Sequence, residues 1–175
     1  MFLYKSMKPA YVGYFGEAMG FTLIELLITS TIIILFSGSA LAAFLNYQDF
    51  RTTNDAANSV AERLRTVQIK ATATEIPAGC DSVSNYVVTY AGSGLSVAAS
   101  CLDALGVPES VGISNLSLTL VNSVFQNSGT ITFDSRTVSA TQAQVDICGN
   151  KKLFRITVSG SANVGKPVND PAGCP

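Results

Sequence analysis

The stretch whose reading decides the fold is Phe21–Leu45, FTLIELLITSTIIILFSGSALAAFL. Its only charge is Glu25. About 20 apolar residues in a helix cross a bilayer, so the segment is long enough to be a membrane span. Lys5 and Lys8 precede it, which predicts a cytoplasmic N-terminus and export of everything after Leu45. Glu25 needs an explanation, because an unpaired carboxylate inside the bilayer costs roughly 2.5–3.5 kcal/mol.

Working outward, the apolar run gives way after Leu45 to a helical stripe. Phe50, Ala57, Val60, Leu64, Val67 and Ala71 fall on one face, with Arg51, Asp55, Glu62 and Arg65 on the other. No proline interrupts residues 21–76, and Pro77 followed by Gly79 ends the run. A helix over residues 21–72 would be about 75–80 Å long, one half in lipid and the other packed on a head. From Cys80 the apolar period becomes two. NYVVTYAGSGLSVAASC reads as two strands around Gly92-Ser93-Gly94, and AQVDICGNKKLFRITVSG as a second hairpin around Gly149-Asn150. LSLTLV (116–121) and GTITFD (129–134) alternate as strands do, and the Gly/Pro-rich tail SANVGKPVNDPAGCP reads as irregular. The expected fold is α+β. A leader occupies residues 1–20, a long helix 21–76 with 21–45 transmembrane, and an antiparallel β-rich head 77–175.

Composition narrows the chemistry. The 175 residues are 47% apolar and 13% charged, so the chain is not a disordered tail. A net charge of −1 argues against a general polyanion binder. The absence of His removes Ser-His-Asp and Cys-His catalysis and every His-based metal site. No nucleophile has a recognisable base, so no enzyme and no cofactor are expected. Cys80, Cys101, Cys148 and Cys174 form no C-x-x-C pair. In an exported head they read as two disulfides. Cys80 with Cys101 would close the base of the first hairpin, and Cys148 with Cys174 would pin the tail; two other connectivities remain open.

Asp134, Asp146 and Asp170 lack the dense spacing of a calcium loop and read as solvated loop carboxylates. Lys151, Lys152 and Arg155 make the basic cluster, with Lys166 nearby, and are candidates for DNA-phosphate contact. Gly38-x-x-x-Ala42 has a small-xxx-small spacing that lets helices approach.

Gly20-Phe21-Thr22-Leu23-Ile24-Glu25 followed by an apolar helix resembles the class III signal of type IV pilins and type II secretion pseudopilins. The resemblance implies that a prepilin peptidase cuts between Gly20 and Phe21 and N-methylates Phe21. It implies that Glu25 is the family's acidic residue, which pairs with the amine of a neighbouring subunit during assembly. Met19 stands where the family often has Lys or Arg, and Ala42-Ala43 where it often has Pro. The head is similar to the GspH/FimT-like minor pseudopilin and minor pilin type. Implied partners are the peptidase, other pilin or pseudopilin subunits and the cytoplasmic membrane; nucleic acid is a partner only in the alternative, a minor pilin binding DNA, a surface or a secretion substrate. The implied location is the cytoplasmic membrane with the head outside, then a pilus or pseudopilus filament. Two competing readings are a plain anchor and an ordinary signal peptide cut near Ala40-Leu41-Ala42. Neither accounts for Glu25 together with the residues around it.

Overall fold

The computed structural model describes residues 21–102 and 108–175. One long helix precedes two antiparallel sheets, an α+β architecture. Helix α1 spans Leu23–Thr72. The chain divides into two compact units, the first ending at Leu41 and the second running from Ala42 to Pro175.

In the first unit the large apolar side chains of α1 are exposed on every side, from Leu23 and Ile24 through Ile33, Ile34, Leu35 and Phe36 to Leu41. A helix that is apolar all round must be covered by something other than water. By length and composition this helix can cross a membrane.

In the second unit the helix becomes one-sided. Thr53, Ala57, Val60, Ala61, Leu64, Val67 and Ala71 are buried, at helical spacings of three, four and one. Phe50, expected on this stripe, is 36% exposed and rests its ring on Phe154, with centroids 5.5 Å apart. The helix ends at Thr72, where the length reckoned over 21–72 has it, four residues before the segment boundary placed at residue 76. Thr74 takes φ +48°, the Glu75 amide donates to the Lys70 carbonyl at 3.1 Å, and the Thr74 amide donates to Ala71 at 3.2 Å. These paired bonds are a Schellman stop, which satisfies the last carbonyls before the proline is reached.

The head opens with β1 (Ser82–Ala91) and β2 (Gly94–Leu102), an antiparallel hairpin whose turn is made by Gly92 at φ +56°. Next come β3 (Pro108–Gly112), β4 (Leu118–Thr119), β5 (Val124–Phe125), β6 (Gly129–Asp134) and β7 (Ser139–Ala140). Then β8 (Ala143–Cys148) and β9 (Leu153–Val158) form the second hairpin, and β10 is Val168–Asp170. The first sheet has the order β3-β2-β1-β6-β7 with β4 beside β2; the second has the order β10-β9-β8-β5. Their inward faces meet the helix stripe in one core that includes Tyr86, Val88, Ile131, Phe133, Val145, Ile147, Phe154 and Ile156.

Two expectations are corrected here. The segment 116–121 is not a regular strand. A 3-10 turn covers Ser114–Leu116, and only Leu118–Thr119 pairs. Leu116 and Leu120, four apart, are both buried, and the Leu120 amide bonds to Ser93 at the hairpin tip. The tail is not wholly irregular, because β10 pairs with β9 from Val168↔Arg155 to Asp170↔Leu153.

Candidate functional site

The start of α1 is built around Thr22. Its hydroxyl accepts the Glu25 amide at 3.3 Å, and its carbonyl accepts the Leu26 amide at 3.1 Å. Thr22 is therefore the N-cap and Glu25 the third helical residue, the T-x-x-E arrangement of a capping box. This supplies a local reason for the lone carboxylate. The first turn of a helix carries unsatisfied amides and a partial positive charge, and an acid there is favourable by about 0.3–1 kcal/mol. That gain falls below the roughly 2.5–3.5 kcal/mol cost of a carboxylate at mid-bilayer. Capping alone does not account for Glu25, and a further cation remains useful to it. Phe21, immediately before the cap, is 76% exposed. Gly20 lies outside the described residues.

Beyond the cap the segment is chemically quiet. Thr29, Ser30, Thr31 and Ser37 each donate a hydroxyl to a carbonyl three or four residues back, at 2.7–3.1 Å. Hydroxyls satisfied within their own helix suit an environment without water. Around Gly38 an added methyl group would meet nothing within 4 Å. Both Gly38 and Ala42 are exposed, as a surface for helix contact must be.

In the second unit a contact absent from the sequence expectations joins the helix to the second hairpin. The Asp49 carboxylate accepts the Asn150 amide at 2.9 Å through Oδ1 and the Lys151 amide at 3.0 Å through Oδ2. A Cβ on Gly149 would stand 2.0 Å from Thr53 Oγ1 and 3.0 Å from Asp49 Oδ1. Glycine is required there for closeness, since Gly149 has no positive φ. Cys148, just before this turn, is joined to Cys174, and Cys80 to Cys101, with Cα separations of 5.8 and 5.4 Å.

The basic cluster does not act as a unit. Arg155 donates through Nε to Asp146 at 2.8 Å and pairs through Nη1 with Asp170 at 2.9 Å. It thus clamps β8 and β10 to β9, and its guanidinium is already engaged. The Arg155 hydrogen bond holds the Asp146 carboxyl below the usual carboxylate range, and the two carboxylates raise Arg155. Asp146 and Asp170 are therefore strand residues in an ion-pair network, not the solvated loop carboxylates expected. Asp134 caps its own turn, accepting the amides of Arg136 at 2.7 Å and Thr137 at 3.0 Å, with the Thr137 amide the larger cause of its lowered pKa. Among the described residues no group of three His, Cys, Asp or Glu side chains is placed to hold a metal ion. Lys151 and Lys152 enter no ion pair among the described residues.

Two features were missed, of which one was legible. T-x-x-E before an apolar run signals a capping box, and Thr22 and Glu25 stand at that spacing. Asp49 gave no such signal, because its partners lie a hundred residues away in a turn. No family model matches this chain, and neither the curated proteins nor the solved structures contain a match to it.

Proposed function

We propose that this chain is a pilin-like structural subunit of a type IV pilus or type II secretion pseudopilus, inserted in the cytoplasmic membrane, cleaved after Gly20, and N-methylated on Phe21. On this reading it is a minor, GspH/FimT-like subunit that enters the filament through its N-terminal helix. One observation carries the proposal: the Gly20–Glu25 motif stands directly before an exposed apolar helix, and Glu25 occupies the third position of that helix. Cleavage would place a new amine on Phe21, next to the N-cap. Within one subunit the cap already engages the first turn. In a filament core of low dielectric, the amine of a staggered neighbour supplies Glu25 with the opposite charge it lacks. Filament packing would also cover the apolar surface that lipid covers before assembly.

The test is Glu25→Gln, compared with wild type in sheared filament and membrane fractions. The variant should be cleaved and inserted but depleted from filaments. Equal incorporation would remove Glu25 from assembly. The alternative reading, a head that binds DNA, loses one of its three basic residues to the Arg155 clamp.

A further inference from the structure

A cation–aromatic pair and a lysine-bearing turn lie at one level of α1, and the structure gives neither lysine an ion-pair partner among the described residues. Tyr47 is 57% exposed and Phe44 59%, and the Arg51 guanidinium stands 5.8 Å from the Tyr47 ring centroid. Lys151 is exposed and Lys152 half-buried, in the turn whose amides Asp49 holds. Arg51 is two residues from Asp49, about 200° round the helix. The lysine turn and the Tyr47–Arg51 pair therefore flank the helix on opposite sides at the same height. We infer that this collar of Tyr47, Arg51, Lys151 and Lys152 seats the head on the anionic phospholipid headgroups of the outer leaflet.

Three magnitudes favour a bilayer surface. At 1.5 Å per residue, Tyr47, Asp49 and Arg51 lie about 3, 6 and 9 Å past Leu45, the last residue of the apolar run. A headgroup layer is about 5–8 Å thick on each side of the hydrocarbon, so the collar falls within it or at its edge. Aromatic rings and cations are the side chains that gather there. A planar surface pierced by a helix touches it from all sides, as a two-sided collar requires, whereas a nucleic-acid rod would reach one side. Nearby acids do not cancel the collar. Asp49 is occupied with two amides, and Asp55, one turn beyond Arg51, lies about 15 Å past Leu45, outside a headgroup layer about 5–8 Å thick.

The inference rests on the membrane insertion proposed above. It is tested with the full chain in lipid nanodiscs, either zwitterionic or containing about one-third anionic lipid. Lysine amines are acylated with a neutral reagent and quantified by mass spectrometry. Lys151 and Lys152 should react about threefold more slowly in the anionic discs, the scale of a surface potential near −30 mV acting on one charge. Lys70, about 32 Å farther along the helix than Asp49, should not change. Arg51→Glu should weaken the protection while leaving Lys70 unaffected, and salt of about 1 M should abolish it. Equal rates in both discs would overturn the inference. Protection by a short DNA duplex on zwitterionic discs, without protection by anionic lipid, would overturn it in favour of nucleic acid. Failure of the chain to co-elute with discs of either kind would sink the membrane reading and this inference with it, and that result is read before any labelling.

Discussion

Gly149→Ala should destabilise the head, against the usual direction of such a change. Replacing a glycine whose backbone alanine can adopt normally stabilises a protein by about 0.4–1 kcal/mol, by restricting the unfolded chain. Gly149 lacks a positive φ, so alanine meets no backbone penalty there. The obstacle is Thr53, fully buried, whose Oγ1 would stand 2.0 Å from the new methyl group and itself donates to the Asp49 carbonyl at 2.8 Å. Ordinary contact needs about 1.4 Å more, so the turn and the helix must separate. Overpacking of this kind costs about 1–3 kcal/mol. A shift of that size also stretches the two bonds from Asp49 to the turn amides, each worth about 1.5 kcal/mol because the acceptor is charged. The expected loss is about 2–4 kcal/mol, a fall in melting temperature of about 10 °C. Thermal and denaturant unfolding of the full chain in detergent reads it. Thr53→Ala in the same chain removes the nearest clashing atom and should recover part of the loss, giving a coupling above about 1 kcal/mol in a double-mutant cycle. A Gly149→Ala chain as stable as wild type, or more so, would refute the claim that the turn is held against the helix at Asp49 and Thr53.

Thr74→Gly should raise stability by about 1 kcal/mol, since a β-branched residue at φ +48° is strained and glycine is not; a lower denaturation midpoint would contradict the Schellman stop. Stability should be flat between about pH 5 and 9 and fall on both sides. Asp146 and Asp134 have depressed pKa values, so their contribution is present above the ordinary 3.8 and lost as pH falls through the folded value. Burial raises Tyr86 and Tyr90, so theirs is complete below the ordinary 10.0 and lost as pH rises through the folded value. Asp146→Asn should flatten the acid limb, and an unchanged melting profile would deny the Arg155 clamp. Peptide mapping without reductant should recover Cys80 with Cys101 and Cys148 with Cys174, closing separations of 21 and 26 residues. Reduction should cost about 3.5 kcal/mol per bridge on the chain-entropy account, and four alkylatable thiols in envelope-derived protein would contradict both bridges.

The long helix and the two hairpins were legible because each rests on a period the sequence repeats many times. Val60, Leu64, Val67 and Ala71 mark one helical face, and Val145, Ile147, Ile156 and Val158 mark paired strands. The short elements were not. β5, β7 and β10 are two or three residues long, too short to carry a period, and each forms because a longer neighbour offers it an edge. Thr74 stops the helix without the glycine that usually announces such a stop. At the candidate site, Glu25 and Phe21 were visible by their contrast with an apolar run, and Thr22 was overlooked although its spacing to Glu25 is a local signal. Asp49 drew no reading at all, and Arg155 read as part of a basic cluster suited to DNA phosphate. Their roles depend on which strands and turns lie beside them, and sequence spacing carries no such information.

Proposed cleavage within the segment that begins GFTLIELLI at Gly20 is the step on which the pilin-like reading stands. Intact-mass and N-terminal peptide analysis of the chain purified from membranes of cells that express a prepilin peptidase tests it most directly. The predicted result is a chain that starts at N-methylated Phe21, retains every residue through Leu45, and is absent when the peptidase is inactivated. A chain that begins near Ala43, or one that keeps Gly20 and the residues before it in the presence of the active peptidase, would contradict it.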